Sequence, residues 1–135
     1  MLCYALRLAS SRSLTRGMMS IHILLLDDEP AIRRLVARVL EDAGYEVDTL
    51  AEPLAAIEAI AEGGYGLIIT NSVMQGPGGA RLVAAMRRQY PTLPMLHLDD
   101  QSHPRAPEFP ADVPTLAKPF ERNVLLEAVR GLVGG

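Results

Sequence analysis

The chain has 135 residues, of which 49% are hydrophobic and 4% aromatic, and this length is enough to bury the core of one globular domain without disulfides or metal ions. Its only cysteine, Cys3, excludes an intrachain disulfide and favours a reducing compartment, for which the cytoplasm is the default. The net charge of −3 and the lack of any uncharged apolar stretch of about 18 residues argue against nucleic-acid binding and against a membrane span.

The first twenty residues differ from the rest because they contain arginines but no acid, as organelle transit peptides do. A surface anchor is less favoured because Arg7 interrupts the apolar run. Met18 and Met19 stand directly before a clear strand pattern, which favours a later start of the folded chain. We therefore expect residues 1–19 to be a disordered extension or a mis-assigned start, and residues 20–135 to form the domain.

The apolar run at residues 21–26 predicts a central parallel strand that ends in Asp27 and Asp28. Pro30 suits the first turn of a following helix, and Gly44 suits its C-terminal end. The predicted inward face of this helix holds apolar residues at helical spacing, namely Ile32, Leu35, Val36, Val39, Leu40 and Ala43.

Residues 45–50 alternate in polarity, with Tyr45, Val47 and Thr49 set against Glu46 and Asp48, which predicts a half-exposed strand near a sheet edge. A second helix is predicted at residues 53–62, closed by two glycines. Its predicted buried residues are Leu54, Ile57, Ile60 and Ala61.

A buried strand begins at Leu67 and ends at Asn71, where a Gly/Pro loop follows. Residues 80–89 read as a third helix and residues 94–98 as a fourth strand. The inward residues of the third helix are predicted to be Leu82, Val83 and Met86.

Four prolines between Asp99 and Lys118 forbid a regular helix, so an irregular loop is predicted where a fourth helix is due. A short strand at residues 115–117 and a last helix at residues 120–133 complete the chain. The inward residues of this helix are predicted to be Val124, Leu125, Ala128, Val129 and Leu132.

Alternating strands and helices predict a doubly wound α/β fold with a parallel sheet. If the strand order is 2-1-3-4-5, then Asp27, Asp28, Asn71 and Lys118 converge at the carboxyl ends of the strands, where ligands bind in such sheets. Paired carboxylates beside an amide oxygen suit Mg²⁺, and an ammonium group can neutralise a phosphoryl group.

Each of these residues also has a simpler interpretation. The acids can serve the dipole of the first helix, Asn71 can be a turn residue, and Lys118 can be a solvated loop residue. Lys118 is the only lysine in the chain and precedes a proline at a strand end, which favours a role in a site. His22, His97 and His103 show no ligand spacing, so no transition-metal site is expected.

The chain resembles a stand-alone response-regulator receiver domain over about residues 20–133. The stretches that carry the resemblance are, in chain order, LLLDDEP, GYEV, YGLIITNSVMQGPGG, PMLHLDD and LAKPF. The resemblance implies a flavodoxin-like fold and a partner such as a histidine kinase or phosphotransfer protein. It also implies that Asp27 and Asp28 match the Mg²⁺-binding acids, Asn71 the phosphoacceptor aspartate and Lys118 the invariant lysine. By the same resemblance, Val73 supplies a backbone carbonyl to the metal.

The chain departs from the family at positions that matter for chemistry. Asn71 stands where the family has the acceptor aspartate. Asp99 stands where the family has a hydroxyl switch residue, and Thr115 stands where it has an aromatic switch residue. An amide is not a competent nucleophile, and the lost charge weakens the metal site, so Mg²⁺ is expected to bind weakly if at all. These features predict a pseudo-receiver that signals without phosphorylation. The alternatives are a small-molecule or nucleotide sensor using the switch-point pocket and, less favoured, a phosphatase-like enzyme.

One sharper hypothesis concerns Asp99, whose carboxylate is expected to reach Lys118 and to replace the missing phosphoryl group. Such a pair would hold the domain in one signalling state.

Overall fold

The computed structural model describes residues 20–71, 77–99, 106–107 and 109–134, and the predicted N-terminal extension and Val73 lie outside these residues. A five-stranded parallel sheet forms its centre. The elements in chain order are β1 (His22–Leu26), α1 (Pro30–Asp42), β2 (Glu46–Leu50), α2 (Pro53–Glu62), β3 (Leu67–Thr70), α3 (Pro77–Gln89), β4 (Met95–Asp99), β5 (Thr115–Ala117) and α4 (Arg122–Val133).

The strand order is β2-β1-β3-β4-β5, which confirms the predicted flavodoxin-like topology. Leu26, the last residue of β1, pairs with Leu50 of β2 and with Thr70 of β3. Because these three strands end at the same level, the residues that follow them meet at one edge of the sheet. This register positions the candidate site.

The two faces of the sheet carry separate apolar cores, as a doubly wound fold requires. Helices α2 and α3 cover one face and α1 and α4 cover the other. Residues Leu24 and Ile68 point into the first core, and Leu25 and Ile69 point into the second. Each such fully buried aliphatic side chain contributes roughly 1.5–3 kcal/mol of transfer free energy.

The predicted buried face of α2 was correct at Ile60 and wrong at its other three residues. Leu54 and Ile57 are 73% and 43% exposed, and Ala61 is exposed as well, while Ala56 and Ala59 face the sheet. The sequence of α2 is apolar on several sides, so periodicity alone does not select the packed face. The small alanine side chains let the helix lie close to the large residues of the strands.

Single positions on the other helices were also wrong. Leu35 of α1 is 61% exposed and Val124 of α4 is 41% exposed, whereas Leu126 is buried instead. Helix α3 begins at Pro77, three residues before the predicted start. Gly44 ends α1 as predicted, with a φ of 104° that favours glycine.

Strand β2 lies at the sheet edge as predicted, but its polar residues are the buried ones. Glu46 and Asp48 are 8% and 4% exposed, while Thr49 is exposed. The Tyr65 hydroxyl donates to Asp48 Oδ2 at 2.7 Å, and His22 Nε2 lies 3.0 Å from the same oxygen. These partners make burial of the Asp48 carboxylate tolerable.

The proline-rich segment between β4 and β5 contains no helix within its described residues, 106–107 and 109–114, in agreement with the prediction. Phe109 and Val113 are buried in the core under α2 and α3. An ion pair between Arg87 of α3 and Asp112 ties the segment to its neighbour. In the described part of the chain, no helix is long and apolar enough to cross a membrane.

Candidate functional site

The carboxyl ends of β1 and β3 bring Asp27, Asp28 and Asn71 together, as the sequence predicts. The backbone N–H of Asp27 donates to Leu50 O at 3.0 Å, which extends the β1–β2 ladder by one residue. Asp27 and Asn71 are 1% and 3% exposed, whereas Asp28 lies at the surface. The site is therefore a buried acid and a buried amide beside a solvated acid.

Asp27 is fixed by bonds to both its side chain and its backbone. Its Oδ1 accepts the backbone N–H of Glu29 at 2.9 Å, and its carbonyl accepts Arg33 Nη1 at 2.8 Å. Burial raises the pKa of Asp27 above its ordinary value, and the Glu29 N–H and the positive charge of Lys118 oppose this only in part. The bond from Arg33 was not foreseen, because no spacing in the sequence indicates that this side chain turns back to Asp27.

The side-chain amide of Asn71 joins the two acids. Its Nδ2 donates to Asp27 Oδ1 and to Asp28 Oδ1, each at 3.0 Å. The carboxylates dictate this orientation, because an amide turned the other way would place its oxygen against two carboxylate oxygens. The two protons of one NH₂ group are thus used on two acids.

Two buried acceptors next to this bridge, Asp27 Oδ2 and Asn71 Oδ1, make no hydrogen bond with the described residues. Magnesium prefers oxygen ligands, and here the amide protons of Asn71 lie against Oδ1 of Asp27 and Oδ1 of Asp28. Among the described residues there is no group of three or more His, Cys, Asp or Glu side chains suited to a metal ion. With its nitrogen turned to the acids, Asn71 offers Mg²⁺ no oxygen between them, and the weak Mg²⁺ site expected from the sequence stays a prediction.

Lys118 and Asp99 are neighbours across the β4–β5 edge. The backbone N–H of Lys118 donates to Asp99 O at 2.8 Å, and Asp99 pairs with Ala117 in register. The positive charge of Lys118 opposes the raised pKa of Asp27, and the contact of Lys118 with a phosphoryl group stays a prediction. The ion pair between the Asp99 and Lys118 side chains stays a prediction.

Thr115 opens β5 and is exposed, and its hydroxyl donates to Val113 O at 3.4 Å. In register, Thr115 lies level with His97 of β4 and Thr70 of β3, on the edge strand that β4 separates from Asn71. Its role as a switch residue stays a prediction. Val73, the proposed backbone ligand, lies outside the described residues.

A buried polar pair beneath the site was missed by the sequence analysis. Thr70 Oγ1 lies 3.1 Å from His97 Nδ1, and the two residues are paired across β3 and β4. His97 is 0% exposed and its ring lies 4.6 Å from that of Phe109. A signal was present, because Thr70 is a polar residue in the apolar strand β3 and His97 stands between apolar residues in β4, but their pairing can be seen only from the register.

A groove of about 490 Å³ lies beside the site between α1 and α4. Its walls are mostly apolar, and Lys118 stands at its edge together with Arg122. The apolar lining residues include Ile32, Leu35, Val36, Val39, Phe120 and Leu125.

Known proteins resemble the chain over nearly all of its folded part. Residues 23–130 match the family described as the response regulator receiver domain. The regulatory protein VanRB of Enterococcus faecalis is 36% identical over 118 residues, which cover 85% of this chain and 53% of that protein. The transcriptional regulatory protein TcrA of Mycobacterium tuberculosis is 35% identical over 78 residues, covering 58% of this chain and 31% of that protein. The chain therefore spans about half or less of these relatives.

Solved structures agree with the fold. Chemotaxis protein CheY4 of Vibrio cholerae superposes with a TM-score of 0.70 at 30% identity, covering 84% of this chain and 98% of that one. Response regulator TrrA of Thermotoga maritima, solved in complex with Mg²⁺-BeF, has a TM-score of 0.69 at 29% identity, covering 83% and 98%. With the strand order, the acid pair and these matches together, the chain belongs to the response regulator receiver domain family.

Proposed function

We propose that this receiver domain is a pseudo-receiver, a signalling module that works without phosphorylation at the usual position. The observation that supports the proposal is the amide of Asn71 at the strand end, with its nitrogen bonded to both acids. The amide nitrogen lone pair is delocalised and the oxygen carries no full charge, so neither atom attacks a phosphohistidine. On this proposal the domain is not an enzyme.

The proposed output is the binding of a protein partner of a two-component pathway, such as a histidine kinase or phosphotransfer protein, in the cytoplasm. The groove between α1 and α4 supports this, because its walls are apolar and Leu35 is 61% exposed on its α1 side. Exposed apolar side chains rimmed by charges such as Lys118 and Arg122 are typical of protein interfaces. Nucleic acid is not part of the proposal, since the chain carries more acids than bases.

The proposal also retains the ion pair between Asp99 and Lys118 as the device that fixes one signalling state. The backbone bond between these residues keeps them adjacent, and a lysine beside a carboxylate is favoured when both are partly buried. Asp99→Asn should then weaken partner binding, whereas Asp99→Glu should retain part of it, as measured by calorimetry with the cognate partner.

The test of the proposal is labelling by acetyl phosphate with Mg²⁺, read by intact-protein mass spectrometry. The wild-type protein is expected to gain no phosphoryl group. The double variant Asn71→Asp, Asp99→Thr is expected to gain one, if the rest of the site is competent. Asp99→Thr alone is the matched control, since it restores the hydroxyl without the acceptor. Stable Mg²⁺-dependent labelling of the wild type would overturn the proposal.

A further inference from the structure

We infer that the side-chain NH₂ group of Asn71 takes the place of the divalent cation between Asp27 and Asp28. The inference rests on the proposed function, since it concerns a site that has given up phosphoryl chemistry. Its observations are two hydrogen bonds of 3.0 Å from one nitrogen to two different carboxylates.

Two adjacent carboxylates repel each other, and one of them, Asp27, is 1% exposed and receives little help from water. A positive centre between the two acids relieves this repulsion. The Asn71 nitrogen supplies such a centre, because each of its protons carries partial positive charge and each is donated to one acid. Asn71 is 3% exposed, so water does not compete with these bonds.

The same bonds oppose metal binding. A cation between the acids would have to displace the amide protons from Asp27 Oδ1 and Asp28 Oδ1. If the amide turned to offer its oxygen, it would lose both bonds from its nitrogen to the buried Asp27 and to Asp28. The amide therefore acts as a competitor of the cation, not as a neutral ligand of it.

This competition predicts that one substitution raises the Mg²⁺ affinity although it removes an oxygen atom. Asn71→Ala removes a possible oxygen ligand, yet it should bind Mg²⁺ more tightly than the wild type, by about threefold or more, because the competing donor is gone. If Asn71 were merely a poor ligand, its removal would weaken binding or leave it unchanged. Equal or weaker Mg²⁺ affinity of Asn71→Ala overturns the inference.

The measurement is calorimetric titration of the full chain with MgCl₂. Asn123→Ala is the matched control, since Asn123 is exposed on α4 and the chemical change is the same. Its Mg²⁺ affinity should equal that of the wild type.

Thermal unfolding gives a second measurement of the same competition. Asn71→Ala should unfold several degrees lower than wild type in EDTA and regain stability in millimolar Mg²⁺. The wild-type midpoint should not change with Mg²⁺, and a clear rise would overturn the inference.

The chemical shifts of the Asn71 side chain in the wild-type protein test the inference without depending on the folding of any variant. The side-chain ¹⁵N–¹H₂ resonances of Asn71 should keep their chemical shifts when MgCl₂ is added to tens of millimolar. Large shifts at low millimolar Mg²⁺ would mean that the amide turns toward a bound cation, which contradicts the inference. Failure of this inference can be distinguished from failure of the proposed function, because labelling by acetyl phosphate is measured separately. Tight Mg²⁺ binding by the wild type without labelling would contradict the role of the Asn71 amide and leave the pseudo-receiver proposal in place.

Discussion

Thr70→Val tests the buried polar pair that lies directly before Asn71. Valine keeps the branched shape of threonine but removes the hydroxyl that lies 3.1 Å from His97 Nδ1. Thr70 and His97 are 1% and 0% exposed, so water cannot replace the lost bond. Losing a hydrogen bond at such a buried position costs about 1–2 kcal/mol. For a domain of this size, that loss lowers the thermal midpoint by roughly 3–8 °C.

The measurements are thermal and urea unfolding followed by far-ultraviolet circular dichroism, since the chain has no tryptophan to report by fluorescence. Thr49→Val is the matched control, because Thr49 lies exposed on the edge strand β2. Its free energy of unfolding should change by no more than about 0.5 kcal/mol. If Thr70→Val is as stable as this control, the Thr70–His97 bond does not stabilise the end of β3 and the reasoning is refuted.

The remaining predictions concern two of the buried carboxylates, Asp27 and Asp48, and use the same unfolding assay in EDTA. Because burial raises the pKa of Asp27 above 3.8, the folded state holds this proton more tightly than the unfolded state, and the group costs stability as pH rises. Asp27→Asn should therefore be more stable than wild type at pH 7, with the gain shrinking toward pH 4; a gain independent of pH would contradict the assigned cause. Tyr65→Phe removes the donor 2.7 Å from Asp48 Oδ2 and should cost about 1–3 kcal/mol, while Tyr45→Phe serves as control and should cost less. Equal costs would mean that the Tyr65 hydroxyl contributes nothing.

The parts of the fold that follow from long apolar runs were predictable. The strands β1, β3 and β4 are almost wholly buried, so their runs of Leu and Ile leave no alternative element, and alternation with helices then fixes a parallel sheet. The meeting of Asp27 with Asn71 follows from the same rule, since both come directly after central strands. The family resemblance and the strand order predict the same site because both depend on the residues that follow β1 and β3.

The parts that depend on partners distant in sequence were not predictable. The burial of Asp48 requires Tyr65 and His22, which belong to other elements, and hydropathy assigns a carboxylate to the surface. The packed face of α2 is set by how closely its alanines approach the sheet, which an apolar helix sequence does not reveal. The sequence also identified Asn71 as an amide without showing which of its two polar atoms faces the acids.

The Asp48 cluster has a consequence for how the sheet assembles. Within the described residues, β2 has one neighbouring strand, β1, so no strand on its outer side restrains its sliding along the sheet. A slip by one residue would turn Asp48 toward the apolar core under α1, and a slip by two would move it about 6.6 Å from His22 and Tyr65. Either slip leaves a desolvated charge without its donors. The buried carboxylate on β2 thus selects a single alignment of the edge strand, a task that its few apolar side chains could not perform alone.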